Sequence, residues 1–337
     1  MVIRLYNAIE KEQARRLVEA HGLRFEENFD LLLGIYDAGE LIATGARDGN
    51  LFKMLCIRED FQGGPHLGEL LTELMNSGAA VGHQSFFIFT KPEYRPSFQQ
   101  FNFTPLVNHH KVCLMESGNA LKRYLQQHRK LVKPGHNGAV VVNCNPFTLG
   151  HRCLIETAAA RVDHLYVFVV REDRSIFPFD VRYRLVCEGT ADLPNVSVLD
   201  TSVYAISSLT FPAYFLKADE DVQTLQMEID LILFGKHIAP FFHIVKRFIG
   251  TEPYCRTTRT YSDAMPWILA PFNVETVQME RKKNGEQVIS AFRVREALKN
   301  EAFETLKRLV PETTLQFLRS AEGRELQEKL HNYQRRH

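Results

Sequence analysis

The chain has no apolar run approaching the roughly 18 residues that a membrane-crossing helix needs, so no helical span is expected. Its first residues, MVIRLYNAIEKEQARRL, contain no apolar core of the kind a secretory leader carries, so no leader is expected either. It has no CxxC pair and no Cys/His spacing suited to zinc. Cys56, Cys113, Cys144, Cys153, Cys187 and Cys255 are scattered, and they read as small buried apolar residues rather than as a redox or metal set. A reducing cytoplasmic location is the expectation. Charge of either sign is not in excess: 41 Lys and Arg stand against 40 Asp and Glu, which removes the basic footprint of a nucleic-acid binder. The basic residues in Leu326–His337 read as a solvated helix end. Internal repeats and low-complexity tracts are absent too. What remains is 45% hydrophobic and 24% charged, a globular composition, in 337 residues. That length exceeds what one core usually serves, so two domains are expected.

Residues 1–116 predict an α+β domain. Helical spacing over Glu10–His21 puts Ala14, Leu17, Val18 and His21 near one face. Strands follow over Leu31–Tyr36, Leu41–Ala46 and Leu51–Ile57, joined by turns at Asp37–Glu40 and Arg47–Asn50. A helix over Leu67–Ala80, a buried strand over Ser85–Thr90, a short helix over Arg95–Phe101 and a last strand over Thr104–Met115 complete it. Residues 117–136 read as a connector, with a helix over Leu121–Val132 stopped by Lys133-Pro134-Gly135.

Residues 137–318 read as an α/β domain. Gly138–Asn143 is a short β-branched run suited to a strand buried on both faces of a parallel sheet. A polar loop, a helix over Leu149–Ala160 and a strand over His164–Val170 then give the strand–loop–helix–strand unit of a Rossmann-like fold. Further on, a helix over Phe179–Ala191, a strand over Val196–Asp200 and a helix over Leu225–Phe234 are expected. Pro240–Val245, Phe248–Gly250 and Val274–Glu280 are strand candidates. Residues 319–337 are polar and helical, and are expected to dock loosely or extend from the domain.

The loop Asn145-Pro146-Phe147-Thr148-Leu149-Gly150-His151 carries the chemistry. A loop between a buried strand and a helix lies at the carboxyl edge of the sheet, where ligands of open α/β folds bind. Helix N-terminal amides attract phosphate oxygens, Gly150 admits a close backbone approach, and His151 falls in the first helical turn as a donor. Placed donors lower the barrier to transfer at an α-phosphate, whose oxygens gain charge in the transition state. A second segment, Val288–Leu298, reads as a strand end, a polar loop and a helix start. Ser290 can cap that helix, and Arg295 can offer a bidentate guanidinium to phosphates.

These two segments, NPFTLGH and ISAFRVR, resemble those of the HxGH-type nucleotidylyltransferase superfamily. The runs Val141–His151, Gly189–Val196, Arg247–Cys255 with Thr258–Tyr261, and Ile289–Arg295 resemble more narrowly the citrate (pro-3S)-lyase ligases. That family joins an acetyltransferase-like (GNAT-like) α+β domain to a Rossmann-like nucleotidylyltransferase domain. The resemblance implies a two-step ligase that uses ATP and Mg2+. Acetate becomes acetyl-adenylate with release of pyrophosphate, and the thiol of the phosphoribosyl-dephospho-coenzyme A group on the citrate lyase acyl carrier subunit then takes the acetyl group. It implies that Thr148 and His151 contact the reacting phosphates, that Ser290 and Arg295 hold the triphosphate, and that Asn145, Pro146, Phe147 and Gly150 form the nucleotide loop. Gly250 and Glu252 are implied near the nucleotide or acyl site. No protein ligand to a metal, no nucleic acid and no membrane partner is implied. Two positions depart from the pattern: Ala291 stands where Ser or Thr is usual, and Ser262 where Asn is expected.

In the first block, Phe61–Gly68 resembles the pyrophosphate-binding loop of the GNAT fold, but His66 falls where a glycine belongs and Pro65 has no amide hydrogen to donate. That block is expected to grip the coenzyme-A-like arm of the carrier. A cofactor-precursor adenylyltransferase, an acyl-CoA-dependent N-acetyltransferase and a non-enzymatic carrier-binding protein are the other readings. The first shares the attack on the α-phosphate, the second is weakened by the altered loop, and the third by the intact TLGH and SxxxxR pair.

Overall fold

A computed structural model of the chain describes residues 1–171, 175–204, 214, 221–251, 256–284 and 287–331. The chain divides into two compact units, residues 1–126 with 208–229, and residues 127–207 with 230–337. Segment 208–229 thus groups with the first unit although it falls within the stretch 137–318.

The first unit runs β1 (Val2–Arg4), α1 (Ala8–Ala20), β2 (Leu31–Asp37), β3 (Glu40–Asp48), β4 (Leu51–Ile57), α2 (His66–Ala80), β5 (Phe86–Thr90), α3 (Arg95–Gln99), β6 (Thr104–Asn108), β7 (Cys113–Ser117) and α4 (Ala120–Gln127). Its strands form one sheet in the order β1-β2-β3-β4-β5-β7-β6. All neighbours are antiparallel except β4 and β5, which pair in parallel at Leu51–Phe87 and Phe52–Ile88. This is the α+β class expected. Helix α1 starts at a capping box in which Asn7 and Glu10 satisfy each other's backbone amides. The β2–β3 turn places Ala38 and Gly39 at positive φ, the geometry that tight hairpins require. Phe52, Leu70, Leu74, Ile88 and Met115 lie in the core under α2. The single strand expected over Thr104–Met115 is instead the hairpin β6–β7, because His109 N–H returns to the Val112 carbonyl across a polar Asn-His-His-Lys turn.

The second unit runs β8 (Asn137–Val142), α5 (Leu149–Ala159), β9 (Leu165–Val169), α6 (Phe179–Gly189), β10 (Val196–Asp200), α7 (Val222–Leu233, of which residues 222–229 group with the first unit), α8 (Ala239–Phe241), β11 (Ile244–Gly250), α9 (Arg256–Leu269), β12 (Glu275–Met279), β13 (Lys283–Asn284), β14 (Gln287–Val288), α10 (Ala291–Lys299), α11 (Phe303–Leu306), α12 (Glu312–Arg319) and α13 (Ala321–Leu330). Its main sheet is wholly parallel, in the order β10-β9-β8-β11-β12. The strand order therefore reverses between β8 and β11. In such sheets the crevice beyond the carboxyl ends of the strands at that reversal is the ligand site.

Val140, Val142, Val167, Val169 and Phe248 face a core shared with α5, α6, α10 and α12. Pro240 lies in the short helix α8, so the strand candidate over Pro240–Val245 shrinks to the start of β11 at Ile244. A proline without an amide hydrogen suits a helix start better than a central strand. The polar tail also departs from expectation. Helix α13 buries Leu326 and Leu330 in the core of this unit, so residues 321–330 are part of it. Among the described residues no helix is long and apolar enough to cross a membrane.

Candidate active site

The loop that leaves β8 turns through Cys144, a non-glycine residue held at a φ of 54°. That left-handed conformation costs a residue with a side chain about 1–2 kcal/mol, which surrounding contacts must offset. Arg182 supplies many of them. Its side chain is fully buried on α6, and it donates to the carbonyls of Asn143 and Val170 at 2.8 Å each, to Phe177 at 2.9 Å, and to Asn143 Oδ1 at 2.8 Å. A buried guanidinium satisfied by backbone carbonyls ties three chain segments at one point. Sequence reasoning missed Arg182, although an arginine at helical spacing among Phe179, Val181, Leu185 and Val186 marks a buried cation.

Phe147 anchors the loop. It is fully buried, and its ring packs 6.0 Å from that of His151 at 15° to it. Gly189 makes room for it: a Cβ there would fall 2.4 Å from Phe147 Cε1. The Gly189–Val196 run is therefore a packing element. Arg152 of α5 donates to the Gly189 carbonyl and pairs with Asp192, each at 2.6 Å.

Thr148 caps α5. Its hydroxyl oxygen accepts the His151 N–H at 3.2 Å, and its own N–H donates to His151 Nδ1 at 3.1 Å. A ring nitrogen that accepts an N–H carries no hydrogen, so neutral His151 holds its proton on Nε2. Burial, with the Arg281 charge adding to it, pushes the His151 pKa down to about 4. The imidazole is neutral near pH 7 and offers Nε2–H as a donor.

Arg295 and Ser290 come to this loop from α10. Arg295 is buried and donates to the Asn145 carbonyl at 2.6 Å, so it braces the loop from within the fold. Ser290 caps α10 by accepting the Arg293 N–H at 3.3 Å, as expected of it. The two helix starts meet closely, for a Cβ on Gly150 would lie 3.1 Å from the Ile289 carbonyl oxygen. Pro146 is buried beside Asn145. Asn145 Oδ1 accepts the Phe177 N–H at 3.2 Å, while Asn145 Nδ2 is buried with no hydrogen-bond partner among the described residues. A buried donor left unpaired costs about 1–3 kcal/mol, so this amide is suited to a ligand oxygen.

Gly250 ends β11, opposite Met279 of β12 and beside the stem of Arg281. Glu252 lies outside the described residues. Arg247 and Tyr261, from the runs that carried the narrower resemblance, form a buried network of their own. Arg247 donates to Tyr261 Oη at 2.8 Å, and Tyr261 donates to Asp230 at 2.6 Å. Ser262 accepts from Gln278 at 3.1 Å. In the first unit, Gly68 packs against Phe101, with a Cβ there falling 3.0 Å from its ring, and Pro65 stands at the start of α2.

The model of the citrate lyase ligase C-terminal domain family matches residues 137–318. The citrate (pro-3S)-lyase ligase of Escherichia coli strain K12 is 36% identical over 331 residues, 94% of this chain and 94% of that protein. That of Klebsiella pneumoniae is 38% identical over 316 residues, 91% of this chain and 92% of that protein. A phosphopantetheine adenylyltransferase of Streptococcus gordonii is 31% identical over 100 residues, 28% of this chain and 61% of that protein.

Proposed function

Because the chain belongs to the citrate lyase ligase family, we propose that it activates citrate lyase by acetylating the carrier thiol of the lyase at the expense of ATP. In the first step an acetate carboxylate oxygen attacks the α-phosphorus of ATP, the bond to the β-phosphate oxygen breaks, and pyrophosphate leaves with the electron pair. In the second, the thiolate of the phosphoribosyl-dephospho-coenzyme A group on the acyl carrier subunit attacks the acetyl carbonyl carbon. The bond to the adenylate oxygen breaks, and AMP leaves.

The observation that carries this reading is the neutral His151, fixed by Thr148 so that Nε2–H is its donor at the start of α5. A donor preset toward developing charge on the α-phosphate lowers the barrier without reorganising at the moment of reaction. The Asn145 amide and the first-turn amides of α5 and α10 suit the remaining phosphate oxygens. Gly150 keeps those two helix starts together. Arg295 holds the Asn145 carbonyl and so sets the loop that carries these donors, and Gly250 at the neighbouring strand end leaves room for the stem of Arg281. Mg2+ is expected on the triphosphate oxygens, where it would neutralise charge on the leaving pyrophosphate. The described residues hold no group of three His, Cys, Asp or Glu side chains placed to cage an ion.

The test is exchange of labelled pyrophosphate into ATP with a panel of acids. Exchange that depends on acetate supports the ligase. Exchange that instead requires phosphopantetheine or a mononucleotide refutes it in favour of a cofactor adenylyltransferase, the reading that the shorter match over 28% of the chain would carry.

A further inference from the structure

The charged run Glu280-Arg281-Lys282-Lys283-Asn284 follows the last strand of the parallel sheet, β12. Met279 closes the pairing of β12 with β11 opposite Gly250, and two residues later the chain crosses the strand ends. There the Arg281 N–H donates to Thr251 Oγ1 at 3.3 Å. Arg281 Cγ and Nε stand 3.5 and 3.7 Å from where a Gly250 Cβ would be, so the stem of the side chain lies over Gly250. A larger residue than glycine would take up that room. The next residue is fixed as well: the Lys282 carbonyl accepts the Ile289 N–H at 3.0 Å. Ile289 in turn presents its carbonyl to Gly150 and precedes the cap Ser290. Arg281 is thus bracketed by Gly250, by the start of α10 and by the loop of α5, at the reversal point of the sheet. Its charge is near enough to the His151 ring to oppose protonation there.

We propose that Arg281 is a further catalytic residue, whose guanidinium contacts the ATP phosphates beside His151 and holds charge on the pyrophosphate as it leaves. This rests on the reading of the Asn145–His151 loop as the ATP site. A neutral His151 donates a hydrogen bond but brings no charge, and Arg295 directs one of its N–H groups to the Asn145 carbonyl. Arg281 supplies a cation at the place where negative charge develops. A guanidinium also matches two phosphate oxygens at once, which a lysine cannot.

The test compares the full-length protein with Arg281→Gln and Arg281→Lys in acetate-dependent ATP–pyrophosphate exchange. Arg281→Gln should lower kcat about 100-fold, as loss of one transition-state donor does, with the KM for acetate unchanged. Arg281→Lys should regain part of that rate, and both variants should unfold at the wild-type denaturant concentration. NMR titration of the His151 ring supplies a readout that a scaffold role would not move: its pKa should rise in Arg281→Gln. Exchange in Arg281→Gln within about threefold of wild type overturns the proposal. So does an Arg281→Lys variant as slow as Arg281→Gln when both unfold earlier than wild type. If the wild-type protein itself shows no acetate-dependent exchange, the underlying ATP-site reading fails first, and the two failures are told apart.

Discussion

Replacing His151 by alanine separates the chemical role of this residue from its structural one. Its pKa falls from 6.5 to about 4 in the folded protein because burial, aided by Arg281, disfavours the charged ring. The unfolded chain takes up a proton near pH 6.5, whereas the folded chain resists until about pH 4. The unfolded state therefore binds more protons between these values, and stability must fall as the pH falls through that window. A difference of about 2.5 in pKa, at 1.36 kcal/mol each, amounts to about 3 kcal/mol. His109 is likewise lowered to about 4, chiefly by burial, but it is present in both proteins and cancels. In urea unfolding from pH 7 to pH 4, the stability of wild type relative to His151→Ala should therefore decline by about 3 kcal/mol. Above pH 7 the difference should be flat. At pH 7.5 the same variant should lose about 2.7–4 kcal/mol of transition-state stabilisation in pyrophosphate exchange, the amount one preset donor supplies. A stability difference that stays constant across the pH window would refute the neutral His151 imidazole with its lowered pKa. Near-normal exchange would refute its role as a donor.

Other outcomes follow from the packing around the loop. Gly189→Ala should destabilise the protein by about 1–3 kcal/mol in urea, because its Cβ would press on the buried Phe147 ring, and it should slow exchange through the loop. Arg295→Met should leave the buried Asn145 carbonyl without its charged donor, costing about 1–3 kcal/mol by thermal unfolding and lowering kcat for exchange. Tyr261→Phe breaks the bridge between Arg247 and Asp230, and should cost about 1–3 kcal/mol with the acetate and ATP KM values near wild type.

Much of this arrangement was legible in the sequence, for identifiable reasons. Gly138–Asn143 and His164–Val170 are short β-branched runs with few local alternatives, and both form strands within a residue or so of the expected ends. Ser290 was readable as a helix cap because a hydroxyl three residues before a free amide is a local signal, whereas Thr148, which caps α5 in the same way, was read only as a phosphate contact. The signals that failed are tertiary. Nothing in Thr104–Met115 says that Asn108–Lys111 will turn, since both flanks are equally strand-like. The tail beyond 318 is polar on average, yet Leu326 and Leu330 fall four apart on one helix face and bury there. Arg295 was legible as a phosphate candidate, but its burial and its hydrogen bond to the Asn145 carbonyl, 150 residues away in sequence, come only from the fold. Arg281 is hidden by its charged neighbours, because the sequence carries no mark of the strand end that it crosses.

The most direct test of the account is transfer of radiolabelled acetate to deacetylated citrate lyase by the purified protein with ATP and Mg2+. The account requires label on the thiol of the acyl carrier subunit, one AMP formed for each acetyl group bound, and recovery of lyase activity in step with the label. AMP formation without label on the carrier, or label that appears equally well without ATP, would contradict it.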